Sequence, residues 1–304
     1  MSNPFFDRSP AFNGKGGVGT TPNGYPAMPG YQPGAQYGQA PAQGYPGYGQ
    51  VSPNQVAGLE AQYAAPSATN VDRGRMTYDD VIVRTAGMFA LILGTGALSW
   101  MLATNRATMG VGYLVMILGS IGALVLGLVN SFKKEPSPAL IMAYAACEGA
   151  MLGAFSGVMN YLYPGIVIQA MGATAATFVV MLCAYKFANF RVSARVARIL
   201  LIAMGGYLLF SLVNLVLMAT GAVTDPWGLR GSVTIMGIPL GVIVGLVVVV
   251  MAAVSLAMDF EAIQRGVEGG LPTRYAWAGA FGLVVTIVWL YVEFLRILAI
   301  LRDN

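Results

Sequence analysis

Seven apolar runs follow one another from Met76 to the end of the chain, at about 81–104, 109–132, 138–162, 165–186, 196–220, 233–259 and 275–302. A hydrocarbon core of roughly 30 Å is crossed by about 20 helical residues, so each run is long enough to span it. Only 10% of the residues are charged, 56% are hydrophobic and the mean hydropathy is +0.65, a balance too apolar for a soluble globular domain of this length. The expectation is an all-α polytopic membrane protein with seven transmembrane helices over residues 76–304 and the lipid bilayer as its surroundings. Pro136, Pro138, Pro164-Gly165, Pro226 and Gly269-Gly270-Leu271-Pro272 punctuate the runs, and Pro239 falls inside the sixth. Thr77-x-x-Asp80 has the spacing of a capping box at the start of the first helix.

Residues 1–75 are a different material. Gly24-Tyr25-Pro26, Gly30-Tyr31-Gln32-Pro33 and Gly44-Tyr45-Pro46-Gly47-Tyr48-Gly49-Gln50 repeat a Gly/Tyr/Pro/Gln theme without an apolar period. Such a segment buries too little apolar surface to offset the entropy of ordering it, so the reading is a disordered low-complexity tail. Its start lacks the charged and apolar regions of a signal peptide, and nothing argues for its export.

Orientation follows from the short loops. With the tail inside, the cytoplasmic side carries Arg73, Arg75, Arg84, Lys133, Lys134, Lys186, Arg191, Arg195, Arg198, Arg265 and Arg274, against Arg106, Arg230 and Arg302 on the other side. Positive charge gathers on the cytoplasmic side of membrane proteins, which places the N-terminus in the cytoplasm, the C-terminus outside and the protein in the plasma membrane. The same distribution accounts for the formal net charge of +4 without nucleic acid as a partner.

The residue inventory narrows the chemistry. With no histidine, Ser-His and Cys-His nucleophiles, histidine-bound zinc and bis-histidine haem are excluded. Cys147 and Cys183 lie far apart in apolar runs and suggest core residues rather than a disulfide or a metal cage. No cofactor and no catalytic activity are expected. Gly149, Gly153 and Gly157 in the third run, and Gly237, Gly241 and Gly245 in the sixth, put small residues along one helix face, the ordinary means of close helix contact in lipid.

Three acids sit where hydropathy places hydrocarbon: Glu148 in the third run, Asp259 ending the sixth and Glu293 inside the seventh. A carboxylate at the centre of a span costs about 2.5–3.5 kcal/mol on insertion scales, so each must face a bundle interior, a water-filled cavity or a partner charge. Arg296, three residues after Glu293, lies on a neighbouring helix face, while Arg84 and the mid-span Asn214 are further charged or polar neighbours to consider.

Cys147-Glu148-Gly149-Ala150-Met151-Leu152-Gly153, Met171-Gly172-Ala173-Thr174 with Phe178 and Tyr185-Lys186, Met258-Asp259-Phe260-Glu261-Ala262-Ile263 and Leu290-Tyr291-Val292-Glu293-Phe294 occur in this order across the spans. Over residues 76–302 the chain resembles the bacterial Bax inhibitor-1 and YccA-like family of seven-helix membrane proteins. Its tail and Met76-Thr77-Tyr78-Asp79-Asp80 look like the actinobacterial branch. The resemblance implies a proton-sensitive acidic pair on helices six and seven, at Asp259 and Glu293, closing a calcium-permeable leak, with calcium held transiently by their oxygens. Here the second member is Glu rather than Asp and the intervening stretch is longer than the family pattern. Centred straight helices would leave Asp259 roughly 20 Å inward of its run's middle. Either longer helices restore the pair, or Glu148 with Glu293 and Arg296 forms the buried cluster.

The function expected is a pH-sensitive cation leak, with calcium and protons as the species handled. The alternative is a regulatory membrane protein that binds a membrane protease or stress partner through its tail. A proton-coupled transporter is disfavoured, because no internal repeat with matching broken helices is evident.

Overall fold

The computed structural model describes residues 74–188 and 190–303. Of residues 1–75, expected to be a disordered tail, 1–73 lie outside the described residues, whereas Gly74 and Arg75 are ordered against Pro272 and Thr273. Seven helices are long and apolar enough to cross a membrane: α1 (Tyr78–Thr104), α2 (Met109–Phe132), α3 (Pro138–Leu162), α4 (Ile166–Phe187), α5 (Ala194–Ala219), α6 (Leu240–Glu268) and α7 (Ala276–Asp303). The expected cap is present, with Asp80 N–H donating to Thr77 Oγ1 at 3.1 Å and Thr77 N–H donating to Asp80 Oδ2 at 3.0 Å.

The sixth span is the main correction. The apolar run at 233–259 predicts a helix ending at Asp259, whereas α6 starts at Leu240 and continues to Glu268. Thr234–Ile235 and Ile238–Pro239 instead form a two-stranded hairpin, turned by Met236 and Gly237, both with positive φ. Pro239 is the N-cap of α6 and interrupts nothing, as its fixed φ and missing N–H favour a helix start. Gly237 therefore leaves the expected glycine face and only Gly241 and Gly245 remain in the helix. Hydropathy extends a run through any apolar residue and stops it at the first charge, so it includes the hairpin and loses the amphipathic last turns of α6.

Helix α7 is the central element and packs on α6, α1, α4 and α3. On one side Phe281, Val284 and Val288 meet Met88 and Ile92 of α1 and Tyr144 of α3. On the other, Leu283 and Leu290 meet Leu256, Phe260 and Ile263 of α6. Helices α1 and α3 approach most closely. A Cβ at Gly149 would run into Ile92 and Thr95, and one at Gly153 into the Gly96 carbonyl and Ser99 Oγ. By contrast α5 buries only Leu200, Met204 and Asn214.

Both ends of the bundle are tied by polar contacts. On the tail face, residues 74–76 lie along the α6–α7 loop: Met76 N–H donates to Leu271 O at 2.7 Å, and Thr273 N–H and Oγ1 donate to Gly74 O at 3.0 and 2.7 Å. Met76 is then completely buried among α6 and α7 side chains. On the opposite face, Asp303 accepts from Trp227 Nε1 at 2.9 Å and from the Tyr163 hydroxyl, while Arg302 donates to Pro164 O and Gln169 Oε1, both at 2.9 Å.

Gly153→Ala is expected to destabilise the detergent-solubilised protein by about 1–3 kcal/mol through overpacking against α1. Gly172→Ala, where a Cβ meets nothing within 4 Å, is expected to be neutral or to stabilise by roughly 0.5–1 kcal/mol. Thermal unfolding of the two variants side by side checks the contrast. Burial, and then the Asp303 carboxylate, push the Tyr163 hydroxyl up to about 12. The fold favours the neutral phenol, so this contribution to stability is complete below about pH 10 and is lost as pH rises through about 12. An alkaline difference titration of the wild type against Tyr163→Phe should show one phenol ionising near 12.

Candidate functional site: carboxylates inside the bundle

Asp259 lies about five residues past the middle of α6, roughly 7–8 Å along the axis, because the helix continues to Glu268. It is 2% exposed, and Thr286 Oγ1 of α7 donates to its Oδ2 at 2.6 Å. The expectation that Asp259 ends its span, roughly 20 Å from the middle, is therefore corrected: it is an interior group. Its Thr286 partner is a neutral hydroxyl. The neighbouring Phe260 packs against Phe178 of α4 and Tyr185, with ring centroids 5.7 and 5.6 Å apart.

Glu293 of α7 is 1% exposed and has an ionic partner. Its Oε2 accepts from Arg296 Nη2, one turn further along the same helix, and from the Tyr207 hydroxyl of α5 at 3.2 Å. Its Oε1 has no hydrogen-bond partner and lies on the side of Gly245, where a Cβ would approach it to 3.2 Å. A second guanidinium joins the group. Arg230, from the single helical turn Leu229–Ser232, donates through Nη2 to Ser211 Oγ at 2.7 Å and to the Tyr207 hydroxyl at 3.4 Å. Both arginines lie over the Tyr207 ring, with Cζ 5.5 and 5.8 Å from its centroid.

Glu148 is 7% exposed on α3, with a hydrogen bond from Tyr144 one turn before it. Its depth follows from the contact between α3 and α7, two spans of the same direction, where Ser156 Oγ and Tyr291 Oη are 2.7 Å apart. Glu148 is eight residues before Ser156, and Glu293 two after Tyr291, an axial offset of roughly 15 Å. Thr286 is five residues before Tyr291, so the level of Asp259 lies roughly 4–5 Å from Glu148 and roughly 10 Å from Glu293.

The three acids thus occupy two layers and separate environments. Asp259 and Glu293 take different partners, with seven residues, roughly 10 Å of helix, between Thr286 and Glu293. The cluster of Glu148 with Glu293 and Arg296 does not form as a whole: Arg296 reaches Glu293, and Glu148 is held by Tyr144. Arg84 serves the start of α1, pairing with Asp80 at 3.1 Å with its Cζ 5.6 Å from the Trp277 ring. Asn214 is not beside an acid: it accepts from Leu229 N–H at 2.7 Å and donates to Trp227 O at 3.3 Å, fixing the loop that carries Arg230. Among the described residues, no group of three or more His, Cys, Asp or Glu side chains gathers as a metal cage.

Tyr207, Ser211 and Arg230 were not among the sequence candidates. A signal for the first two exists, since Tyr207, Ser211 and Asn214 recur at i, i+4 and i+7 as a polar stripe on an otherwise apolar helix. Arg230 lies in a loop by sequence, and its inward reach follows only from the tertiary path of that loop.

A family model described as Bax inhibitor 1 like matches residues 3–303. No curated protein and no solved structure matches the chain.

Thr286→Val is expected to destabilise the protein by about 1–3 kcal/mol, because it leaves the buried Asp259 without its hydroxyl donor. Thr286→Ser should retain most of that stability in the same thermal unfolding experiment.

Proposed function

The chain belongs to the Bax inhibitor 1 like family, and on that premise we propose that it is a pH-sensitive cation leak of the plasma membrane, with calcium the principal ion. The observation that carries this reading is the contrast between two fully buried carboxylates on adjacent helices. Asp259 is held by a neutral hydroxyl and Glu293 by a guanidinium.

A carboxylate with a neutral donor gains or loses a proton without breaking an ion pair, so proton exchange changes the local charge by a full unit. Asp259 is in this role the proton-sensing group, within about one helical turn of Glu148 in depth. Glu293 is the more firmly closed group, because a cation reaching its free Oε1 competes with Arg296. Carboxylate oxygens are the hard ligands that calcium takes, and single acids at successive depths suit an ion that pauses without being trapped. Calcium is here the permeating species and the protein has no catalytic role. In this reading the tail face is cytoplasmic and the C-terminus outside, an orientation that the distribution of short-loop cations supports.

A second reading is regulation of a membrane protease or stress partner, favoured by the path of residues 74–76. Their hydrogen bonds to the α6–α7 loop join the tail directly to the helices that hold Asp259 and Glu293. A partner held by the tail would thus be coupled to these helices.

Calcium flux into proteoliposomes is expected to change with pH in the wild type and to lose that dependence in Asp259→Asn. Glu293→Gln should alter the size of the flux by releasing Arg296. Flux and pH profile unchanged in both variants would remove the acids from the mechanism. Deletion of residues 1–73 keeps the contacts of residues 74–76; partner capture lost with flux intact would favour the second reading.

A further inference from the structure

The group around Tyr207 carries more positive than negative charge. Arg230 and Arg296 converge on the ring and hydroxyl of Tyr207, and only Arg296 has a carboxylate partner, Glu293. The nearest acids of the same face are engaged elsewhere: Asp225 Oδ1 accepts from Trp227 N–H at 2.7 Å, and Asp303 takes the Trp227 indole and the Tyr163 hydroxyl. Each guanidinium uses Nη2 for two acceptors, and each leaves a buried Nε–H without any. A buried charged donor left unmatched costs at least about 1–3 kcal/mol, and here there are two, on side chains that face the same hydroxyl.

We propose that Arg230 and Arg296, stacked on Tyr207, form a binding site for a tetrahedral oxyanion of the phosphate or sulfate type, at the bundle face away from the tail. The Nε and Nη edge of a guanidinium matches two oxygens of such an anion, and two guanidiniums supply the charge that Glu293 leaves uncompensated. Ser211 Oγ, which accepts from Arg230, keeps its own hydrogen as a further donor at the same place, whereas the Tyr207 hydrogen goes to Glu293. Tyr207, Ser211, Arg230 and Arg296 are each partly exposed, the Arg296 side chain to 14%. The Arg230 backbone lies level with Ile300 in the last turns of α7, since a Cβ on Gly241 would touch both. That depth is within reach of a lipid phosphate and of an anion from water. The site does not depend on the leak reading, because it needs no ion to pass.

Two probes separate the sources. Sodium sulfate, titrated against sodium chloride at matched ionic strength, reports a dissolved anion through the thermal unfolding of the full chain in neutral detergent. Phosphatidylglycerol against diacylglycerol, followed by native mass spectrometry of the same preparation, reports a lipid phosphate. Saturable binding of either probe is expected, roughly tenfold or more weaker in Arg230→Gln. Arg302→Gln, whose arginine serves Pro164 and Gln169, should bind as the wild type does. Arg230→Lys keeps the charge without the fork and should lose the preference for sulfate over chloride, a result readable even if Arg230→Gln fails to fold. No saturable binding of either probe, or equal binding by wild type, Arg230→Gln and Arg230→Lys, would overturn the site.

Discussion

Glu293 and Arg296 hold opposite charges one turn apart on the most deeply buried helix of the bundle, where packed side chains leave little else to solvate either. Removing one partner of such a pair costs about 3–5 kcal/mol, because the other is left charged and unmatched. The constraint extends beyond the pair. Tyr207 bonds both groups, which ties α5 to α7, and Arg230 bonds Tyr207 in turn, which ties the α5–α6 loop to the same place. Helix α7 is enclosed by α1, α3, α4 and α6 in part because its charges permit no lipid contact.

The acids are arranged by depth. Asp259 and Glu148 lie within about one helical turn of each other in depth, with hydroxyl donors from Thr286 and Tyr144, and Glu293 lies nearer the end of α7 with the Arg296 guanidinium as partner. Negative charge is therefore compensated at one level and only hydrogen-bonded at the other. A cation crossing the bundle would meet two different kinds of carboxylate in succession, each with its own requirement for release.

Most of the architecture was legible in the sequence. Six spans, α1–α5 and α7, lie within a few residues of their apolar runs, and the capping box at Thr77 is present as its spacing predicts. The glycines of α3 meet α1 because close backbone approach in lipid selects small residues on one face. The sixth span was misplaced because hydropathy responds to side-chain polarity alone. It does not register that Met236-Gly237-Ile238-Pro239 turns the chain, or that Asp259, Glu261, Arg265 and Glu268 continue an amphipathic helix. For the site, the sequence named the three acids and Arg296. It missed Tyr207, Ser211 and Arg230, whose approach depends on how α5 and its loop lie against α7, a property of tertiary path rather than of local spacing. Arg84 and Asn214 serve a helix start and a loop instead.

The glycine seam between α1 and α3 has a mechanical consequence. Backbones in direct contact at Gly149 and Gly153 leave no side-chain layer to deform, so these two helices act as one stiff plank. Across the molecule α5 has a small apolar footing and hangs largely on a few hydrogen bonds to arginines and to a loop. Elastic compliance in this bundle is thus lopsided: a load placed on it is borne by the plank, and the displacement collects at α5.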